Sequence, residues 1–443
     1  MTPQRPAPQD ARPDEPQGFR RLVRMAGRPY LVASALARLP QSMLTIGALT
    51  YVAAGAADFT TPGAVAAIAG VGVGLGAPIM GAASDRWGQR RVLLVSTVAY
   101  VVALAALLVA GAPHFPSTSS GITTGSGITT GSGITGGTVE LDLPLAAAAL
   151  FAGMVVPQIG PMTRVRWIRR LTGPRDHSAV ELALGYESTI DEMAYVIGPA
   201  AVGIIAAAAG APIPLVIAAV LVLLAVPAFA FDRSATAAAP LGRDGAGGPA
   251  AAPDRIRWGF VMIGIAGMLA IGTVFGSLAT TMTVFAEVTG NPGTGGLIYA
   301  AIGITSGLGA LSVSRWPARW TAEIRWLACA VVAVPAAAVL LLVTEPWQMV
   351  LGLLLIGAPV GPVMVTIFSA AGRRTPPARL GFVMTLLSAS VTLGTSVGNL
   401  LGGTASDASG YQAALGVTVG ASVALLVAGF GFLAYARRER ATA

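Results

Sequence analysis

The sequence is short of charge, of cysteine and of lysine. Only 11% of its 443 residues are charged, whereas about 25% is usual for a soluble domain, so the chain lacks the polar surface that such a domain needs. Its one cysteine, Cys329, excludes an intrachain disulfide and a thiolate metal cluster. The two histidines, His114 and His177, lie far apart and offer no metal-binding pair. All 28 basic residues are arginine, so no glycine-rich stretch has the lysine of a phosphate-binding loop.

Long apolar runs occupy most of the chain instead. Hydrophobic residues make up 54% of it, and the mean hydropathy is +0.72. Runs of about twenty apolar residues can cross a hydrocarbon core of about 30 Å as helices, which satisfy their own backbone polar groups there. The 56 glycines and 30 prolines are typical of close packing and kinks in such helices. The composition therefore predicts an integral membrane protein.

The apolar runs divide into twelve predicted spans. Their bounds are 29–54, 63–83, 92–112, 143–162, 180–209, 212–231, 259–287, 296–313, 324–343, 347–371, 381–404 and 413–436. Of the 28 arginines, 27 fall in the N-terminal tail, the even-numbered connections or the C-terminal tail. The positive-inside rule places these regions in the cytoplasm. We therefore predict an all-α membrane fold of twelve helices in a bacterial cytoplasmic membrane, with both termini cytoplasmic.

The two halves of the chain resemble each other. Residues 157–161 (PQIGP) in the fourth span correspond to 359–362 (PVGP) in the tenth, and paired arginines follow each segment. Such repeats place a site between two bundles at the bilayer midplane. We predict two six-helix bundles related by pseudo-twofold symmetry. The predicted parts are a disordered cytoplasmic tail (1–28), the first bundle (29–231) with a low-complexity outer loop (113–140), a linker (232–257), the second bundle (258–436) and a cytoplasmic tail (437–443).

A charged motif follows the second span. Residues 81–91 (GAASDRWGQRR) place an acid among arginines between two spans. Asp85 can accept hydrogen bonds from the N-terminus of a neighbouring helix, or from Arg86 or Arg90, and Gly88 permits a tight turn. At a cytoplasmic mouth such a cluster can hold one conformation closed. The alternative is an ordinary basic loop with an incidental acid.

This motif, its position, the span count and the half repeat resemble the major facilitator superfamily, whose signature in this loop is Gly-x-x-x-Asp-Arg-x-Gly-Arg-Arg. The resemblance implies a transporter in which the acid helps to keep a cytoplasmic gate shut. The gate motif in this chain would be Gly81, Asp85, Arg86, Gly88, Arg90 and Arg91. In the second half Ser314 replaces the acid and Pro317 the glycine, so we expect a one-sided latch.

Three acids lie within the fifth predicted span. Glu187 and Asp191 are four residues apart and share a helix face, whereas Glu192 points partly away. Two neighbouring carboxyls in a low dielectric cannot both stay ionised cheaply, so the pattern predicts a proton-binding site. Arg38 lies at a similar depth in the first span, and we expect it to pair with Glu187 or Asp191. The alternative is a permanent structural ion pair.

A weaker signal follows these acids. Gly198 and Pro199 resemble part of the Gly-Pro signature of facilitator antiporters. Two features depart from that group: Ala194 replaces an earlier glycine, and Arg164 lies only at the end of the predicted fourth span. Both departures argue against a specific drug-efflux assignment.

The predicted function is secondary active transport, namely proton-coupled export of a small apolar or amphipathic molecule by alternating access. A nutrient importer or uniporter of the same fold and a non-transporting membrane sensor are the alternatives. We expect no catalytic residues, no metal and no cofactor, with the proton gradient as the energy source. The expected partners are a small-molecule substrate and the lipid bilayer, without nucleic acid, and the expected state is a monomer. Candidate polar cavity residues are Gln41, Gln158 and Asn399, for which hydrogen bonding between helices is the alternative.

Overall fold

The computed structural model is built of helices in the residues that it describes, which are 23–24, 26–54, 60–112, 143–171, 177–232, 256–290, 294–317 and 319–442. Fourteen α-helices are bounded within them: α1 (Arg28–Leu36), α2 (Leu39–Ala53), α3 (Thr60–Trp87), α4 (Gln89–Gly111), α5 (Leu143–Val155), α6 (Ile159–Arg170), α7 (His177–Ala209), α8 (Ile213–Ala230), α9 (Trp258–Val288), α10 (Gly295–Ser312), α11 (Ala322–Leu340), α12 (Pro346–Arg374), α13 (Leu380–Ser409) and α14 (Tyr411–Thr442). The predicted outer loop (113–140), and most of the predicted linker and N-terminal tail, lie outside the described residues.

Among the described residues, eleven stretches of helix are long and apolar enough to cross a membrane. They correspond to the second to twelfth predicted spans, so the prediction of an all-helical, multi-pass membrane protein is confirmed. The first predicted span is not among them, because it is divided into α1, with 9 residues, and α2, with 15. The count of twelve stays a prediction.

Prolines explain where the first and fourth spans are broken. A proline ring clashes with the carbonyl group four residues earlier and has no N–H to donate to it. Pro40 stands four residues after Leu36, where α1 ends. Pro161 stands four residues after Pro157, in the gap between α5 and α6. Discontinuous helices of this kind often surround the binding site of a transporter.

The fourth span is longer than predicted. We expected it to end at Met162, with Arg164 and Arg166 in the connection that follows. That prediction was wrong, because α6 continues to Arg170 and the side chains of both arginines are buried inside the protein. Hydropathy counts each arginine as a cost and takes no account of the buried groups that compensate its charge.

The described part of the predicted C-terminal tail (437–443) is also helical, since α14 continues to Thr442. Glu439 forms an ion pair with Arg257, and its carboxylate lies 3.6 Å from Arg374 Nε. Arginines at the end of a helix also interact favourably with the helix dipole. These contacts explain why the helix extends beyond the apolar run.

Three buried apolar clusters form the core. One draws only on the first half of the chain, between Tyr30 and Ala230. A second draws only on the other half, between Val274 and Ala421. The third packs Val165 of α6 and Leu184 of α7 among second-half residues. The two halves therefore meet along α6 and α7, and α3 also packs against α13.

The contact between the halves is tight at the end that carries Asp85 and looser further along. A Cβ atom added to Gly81 of α3 would lie 2.7 Å from the carbonyl oxygen of Gly381 on α13. A Cβ atom on Gly307 of α10 would lie 3.0 Å from the Thr189 side chain of α7. One turn along the same face of α10, a Cβ atom on Gly303 would meet no atom within 4 Å. We call the tightly packed end the Asp85 end.

Candidate functional site

Four charged side chains meet where α2, α6 and α7 converge. Arg38, the N-cap of α2, donates through Nη2 to Glu187 and, at 2.8 Å, to Thr163. Its Nε lies 2.7 Å from Asp191 Oδ1. Arg164 of α6 donates through Nη2 to Asp191 Oδ2 at 2.7 Å. We call Arg38, Arg164, Glu187 and Asp191 the charge cluster.

The pairing is more extensive than the sequence indicated. Arg38 contacts Glu187 and Asp191 together, where we expected one or the other. Arg164 completes the cluster, and sequence reasoning missed it because the fourth span was ended too early. The sequence did contain a signal for Arg164, because this arginine follows Pro161 by three residues, just after the broken helix.

One member of the charge cluster is much more exposed than the others. The side chains of Glu187, Arg164 and Arg38 are 0%, 1% and 4% exposed, whereas that of Asp191 is 21% exposed. Two buried arginines and two carboxylates balance each other, which offsets the large cost of placing single charges in such an environment. Asp191 is the carboxyl that solvent or a solute can reach.

Glu187 is held on both of its carboxylate oxygens. Trp167 Nε1 donates to Oε1 at 2.6 Å. Thr163 donates to Oε2 at 2.5 Å, and Arg38 donates to the same oxygen. Because both carboxylate oxygens accept hydrogen bonds and the side chain is fully buried, Glu187 anchors the charge cluster.

The contact between Arg164 and Asp191 depends on a small residue and touches the second half of the chain. A Cβ atom on Gly160 would lie 2.9 Å from Asp191 Oδ1 and 3.2 Å from Arg164 Nη1, so glycine permits this approach. The guanidinium carbon of Arg164 lies 4.0 Å from the ring centroid of Phe368 on α12. Such stacking of a guanidinium on an aromatic face is favourable.

Glu192 belongs to a different contact. Its Oε1 accepts a hydrogen bond from Ser306 of α10 at 2.7 Å, and the residue is 8% exposed. The described structure therefore places it between α7 and α10, outside the charge cluster.

A polar surface continues from Asp191 along α7. Tyr195 lies one turn further along the helix, and its side chain is 46% exposed. Its hydroxyl is within hydrogen-bonding reach of Gln41 on α2 and Thr392 on α13. Tyr195 therefore faces a space between helices of both halves, and Gln41 shares this space with it.

The remaining candidate polar residues lie elsewhere. Gln158 is buried in the break between α5 and α6, where it donates to the carbonyl of Val156 at 3.1 Å. Asn399 is exposed on α13 and accepts a hydrogen bond from Thr280 of α9 at 3.2 Å. The contact of Asn399 is a hydrogen bond between helices, which was the alternative interpretation, whereas that of Gln158 is local to the helix break.

The Gly-Pro pair of α7 serves close packing. A Cβ atom on Gly198 would lie 2.1 Å from Ser42 Oγ, so glycine lets α7 approach α2. Pro199 lies within α7, which is not interrupted there.

Asp85 joins the two halves of the chain. Its Oδ1 and Oδ2 accept hydrogen bonds from the backbone N–H groups of Gly381 and Phe382, at 3.0 and 2.9 Å. These N–H groups lie in the first turn of α13, where they have no partner within the helix and the helix dipole favours an anion. Arg169 Nη2 of α6 lies 3.6 Å from Asp85 Oδ1 and donates to the carbonyl of Pro377 at 2.8 Å.

The rest of the gate motif is arranged around this contact. Gly88 has φ +86°, a conformation that favours glycine, at the junction of α3 and α4. Arg86 stacks on Trp87, Arg90 stacks on Phe231, and Arg91 is exposed. Of the two kinds of partner that we predicted for Asp85, the described structure shows the helix N-terminus, and its nearby arginine comes from α6.

A second ion pair joins the halves at the same end. Glu181 of α7 and Arg325 of α11 are 2.5 Å apart, with side chains 11% and 9% exposed. We expected a one-sided latch because Ser314 replaces the acid in the second half. That expectation stays a prediction, since the acid of this second pair is supplied by α7 and not by the repeat of the motif.

Comparison with known proteins identifies the family. A family model described as Major Facilitator Superfamily matches residues 30–358, well over half of the chain. The chain belongs to the major facilitator superfamily. Members of this superfamily are transporters, which supports transmembrane transport as the function of this protein.

Solved structures with the superfamily fold cover most of the chain. The human organic anion transporter MFSD10 (TETRAN) has 16% identity and a TM-score of 0.64, over 92% of this chain and 99% of that one. A bacterial homologue of the iron transporter ferroportin, in an outward-facing state, has 16% identity and a TM-score of 0.65, over 92% and 98%. At such identities the similarity shows the fold alone. No curated protein sequence matches this chain.

Proposed function

We propose that this transporter exports a small amphipathic molecule by proton-coupled alternating access, and that Asp191 is the carboxyl that binds the proton. The observation that carries the proposal is the unequal exposure of the charge cluster, in which Asp191 alone is 21% exposed. A proton on Asp191 removes its charge and weakens its contacts with Arg38 and Arg164. Proton binding there is therefore a natural trigger for rearrangement.

Two helices connect this trigger to the Asp85 end. Helix α6 carries Arg164 in the charge cluster and Arg169 beside Asp85, five residues or about 7.5 Å further along. Helix α7 carries Asp191 and also Glu181, which pairs with Arg325. A displacement of either helix at the charge cluster is thus transmitted to a contact between the two halves.

The proposed cycle has the two halves rocking as six-helix bundles about the charge cluster. The Asp85 end is cytoplasmic, because the positive-inside rule assigns its arginines to that side. The contacts of Asp85 and of Glu181 hold this end shut, which makes the present conformation outward-facing. We propose a monomer in a bacterial cytoplasmic membrane, which opens the cytoplasmic end when these contacts break.

Apolar walls support an amphipathic solute. Alanine, glycine, valine and leucine supply most of the apolar residues, and the polar groups along α7 beyond Asp191 are Tyr195 with Gln41 and Thr392 beside it. Such a surface offers too few hydrogen-bonding groups for a densely hydroxylated sugar. The export direction is an expectation from the sequence, and import or uniport by the same fold is the alternative.

The test is solute-triggered proton movement in proteoliposomes that contain a pH-sensitive dye, scanned over a panel of solutes. The proposal predicts a pH change that is lost in Asp191→Asn. The matched control is Asp407→Asn, which makes the same chemical change at an exposed position on α13. Tracer flux of a solute with no pH change in the unmodified protein would show a uniporter and assign the charge cluster a structural role.

A further inference from the structure

The charge cluster has more hydrogen-bond donors than acceptors. Each carboxylate oxygen of Glu187 and Asp191 has a partner, as described above. In contrast, four buried guanidinium nitrogens have no hydrogen-bond partner in the described part of the chain: Nε and Nη1 of Arg38, and Nε and Nη1 of Arg164. Arg38 Nε lies 2.7 Å from Asp191 Oδ1 as an ion-pair contact only. Buried polar groups are nearly always paired in native proteins, so four such nitrogens in one cluster require an explanation.

We propose that these guanidinium nitrogens bind the anionic group of the substrate, and that the substrate is an amphipathic organic acid with a carboxylate head. The inference rests on the proposed function and names its substrate class. A carboxylate supplies the acceptors that the cluster lacks, in the planar geometry that an arginine fork matches. An organic cation would meet two buried arginines and carboxylate oxygens that are already occupied.

The surroundings suit both parts of such a molecule. Arg164 is stacked on Phe368, which fixes the plane of its guanidinium group and leaves Nε and Nη1 without partners. Tyr195 is half exposed one turn beyond Asp191, on the same face of α7, and offers an aromatic surface to an apolar tail. When the carboxylate head of the organic acid reaches Arg164 past Asp191, the apolar tail of the same molecule lies against Tyr195.

The charges also explain why proton and substrate would bind together. When Asp191 takes up a proton, Arg164 Nη2 loses its acceptor and Arg38 Nε loses an ion-pair partner. The cluster then keeps two positive charges against one negative. A bound monocarboxylate restores neutrality and replaces the lost acceptor. Proton and anion then cross together in an electroneutral step, whose direction follows the combined gradients of the acid and the proton.

Binding to the purified transporter tests this inference without any transport assay. The probes are hexanoate, hexylamine and hexanamide, which share one chain length and differ in head-group charge. We expect hexanoate alone to raise the unfolding temperature of the purified transporter. Equal or greater stabilisation by hexylamine or hexanamide, or stabilisation by none of the three, would overturn the inference.

Arginine variants locate the site. Arg164→Lys keeps the positive charge but loses the fork, and we expect it to weaken hexanoate binding at least about tenfold. The matched control, Arg437→Lys, makes the same change at an exposed position on α14 and should bind hexanoate as the unmodified protein does. Unchanged binding in Arg164→Lys would contradict the inference. If that variant does not fold, the three probes on the unmodified protein still decide.

The inference and the proposed function can fail separately. Proton movement triggered by an amine or a neutral solute, and lost in Asp191→Asn, would preserve the proposed function and exclude the organic acid. Hexanoate that binds and crosses without protons would preserve the organic acid and exclude proton coupling.

Discussion

Asp191 and Arg164 face each other across α7 and α6, with Oδ2 and Nη2 2.7 Å apart. The pair combines the most exposed member of the charge cluster with a fully buried one. Each residue also lies on a helix that reaches the Asp85 end, α7 through Glu181 and α6 through Arg169. In the proposed mechanism, a change in the state of this one pair is therefore transmitted to two polar contacts between the halves at the Asp85 end.

Glu187→Gln should lower the stability of the folded protein more than Asp191→Asn does. Glu187 is fully buried and accepts hydrogen bonds from Arg38, Thr163 and Trp167, so its loss leaves Arg38 without its main partner. Breaking a buried pair in this way typically costs about 3–5 kcal/mol. Thermal unfolding in detergent measures the difference, and an equal loss in the two variants would contradict the anchoring role of Glu187.

Gly160→Ala should impair transport by separating Asp191 from Arg164. The added Cβ atom would lie 2.9 Å from Asp191 Oδ1, closer than normal contact allows. Initial rates of solute uptake in proteoliposomes measure the effect, and we expect a loss of at least about tenfold, since about 1.4 kcal/mol corresponds to tenfold. Gly303→Ala is the control, because its Cβ atom meets nothing within 4 Å and the rate should be unchanged. Equal rates in the two variants would contradict the prediction.

Asp85→Asn should open the Asp85 end more often. The variant loses the negative charge that interacts with the N-terminus of α13, a contribution of about 0.3–1 kcal/mol and up to about 2 kcal/mol when partly buried. Cysteine labelling at a position near Gly381, in a Cys329→Ala background, measures how often this end opens. The second acid of the gate, Glu181, is still in place in this variant, so we expect faster labelling but not complete opening. A labelling rate equal to that of the unmodified protein would count against a gating role for Asp85.

The ion pair between Glu181 and Arg325 should respond to an exchange of charges. Glu181→Arg alone places two positive groups together and should open the Asp85 end, because like charges at this distance repel. The double variant Glu181→Arg, Arg325→Glu restores the pair and should return the labelling rate towards that of the unmodified protein. Independent effects of the two substitutions would show that the pair does not hold the halves together.

The sequence was sufficient to predict site residues where a charged side chain lies within an apolar run. Arg38, Glu187 and Asp191 are charges in apolar runs, so each demanded a partner, and similar depth brought them together. Asp85 was found through its motif. At these positions the local sequence alone gives a physical reason to expect a site residue.

Elsewhere the decisive partner is distant in sequence or the local signal is ambiguous. Glu181 and Arg325 are 144 residues apart, and only the packing of α7 against the second half brings them together. Pro40 and Pro161 accompany broken helices, whereas Pro199 and Pro227 lie inside continuous ones. A proline therefore does not predict a helix break by itself. Arg164 follows Pro161, so its position inside the fourth span could be predicted only by knowing that the helix resumes after the break.

The most direct measurement follows proton movement and solute flux in the same proteoliposomes. In the unmodified protein and in Asp407→Asn, the two should rise together in a fixed ratio. In Asp191→Asn, exchange of labelled for unlabelled solute should continue while proton movement is lost, because an amide cannot take up the proton. Proton movement in Asp191→Asn at the ratio of the unmodified protein would contradict the assignment of Asp191 as the proton-binding carboxyl.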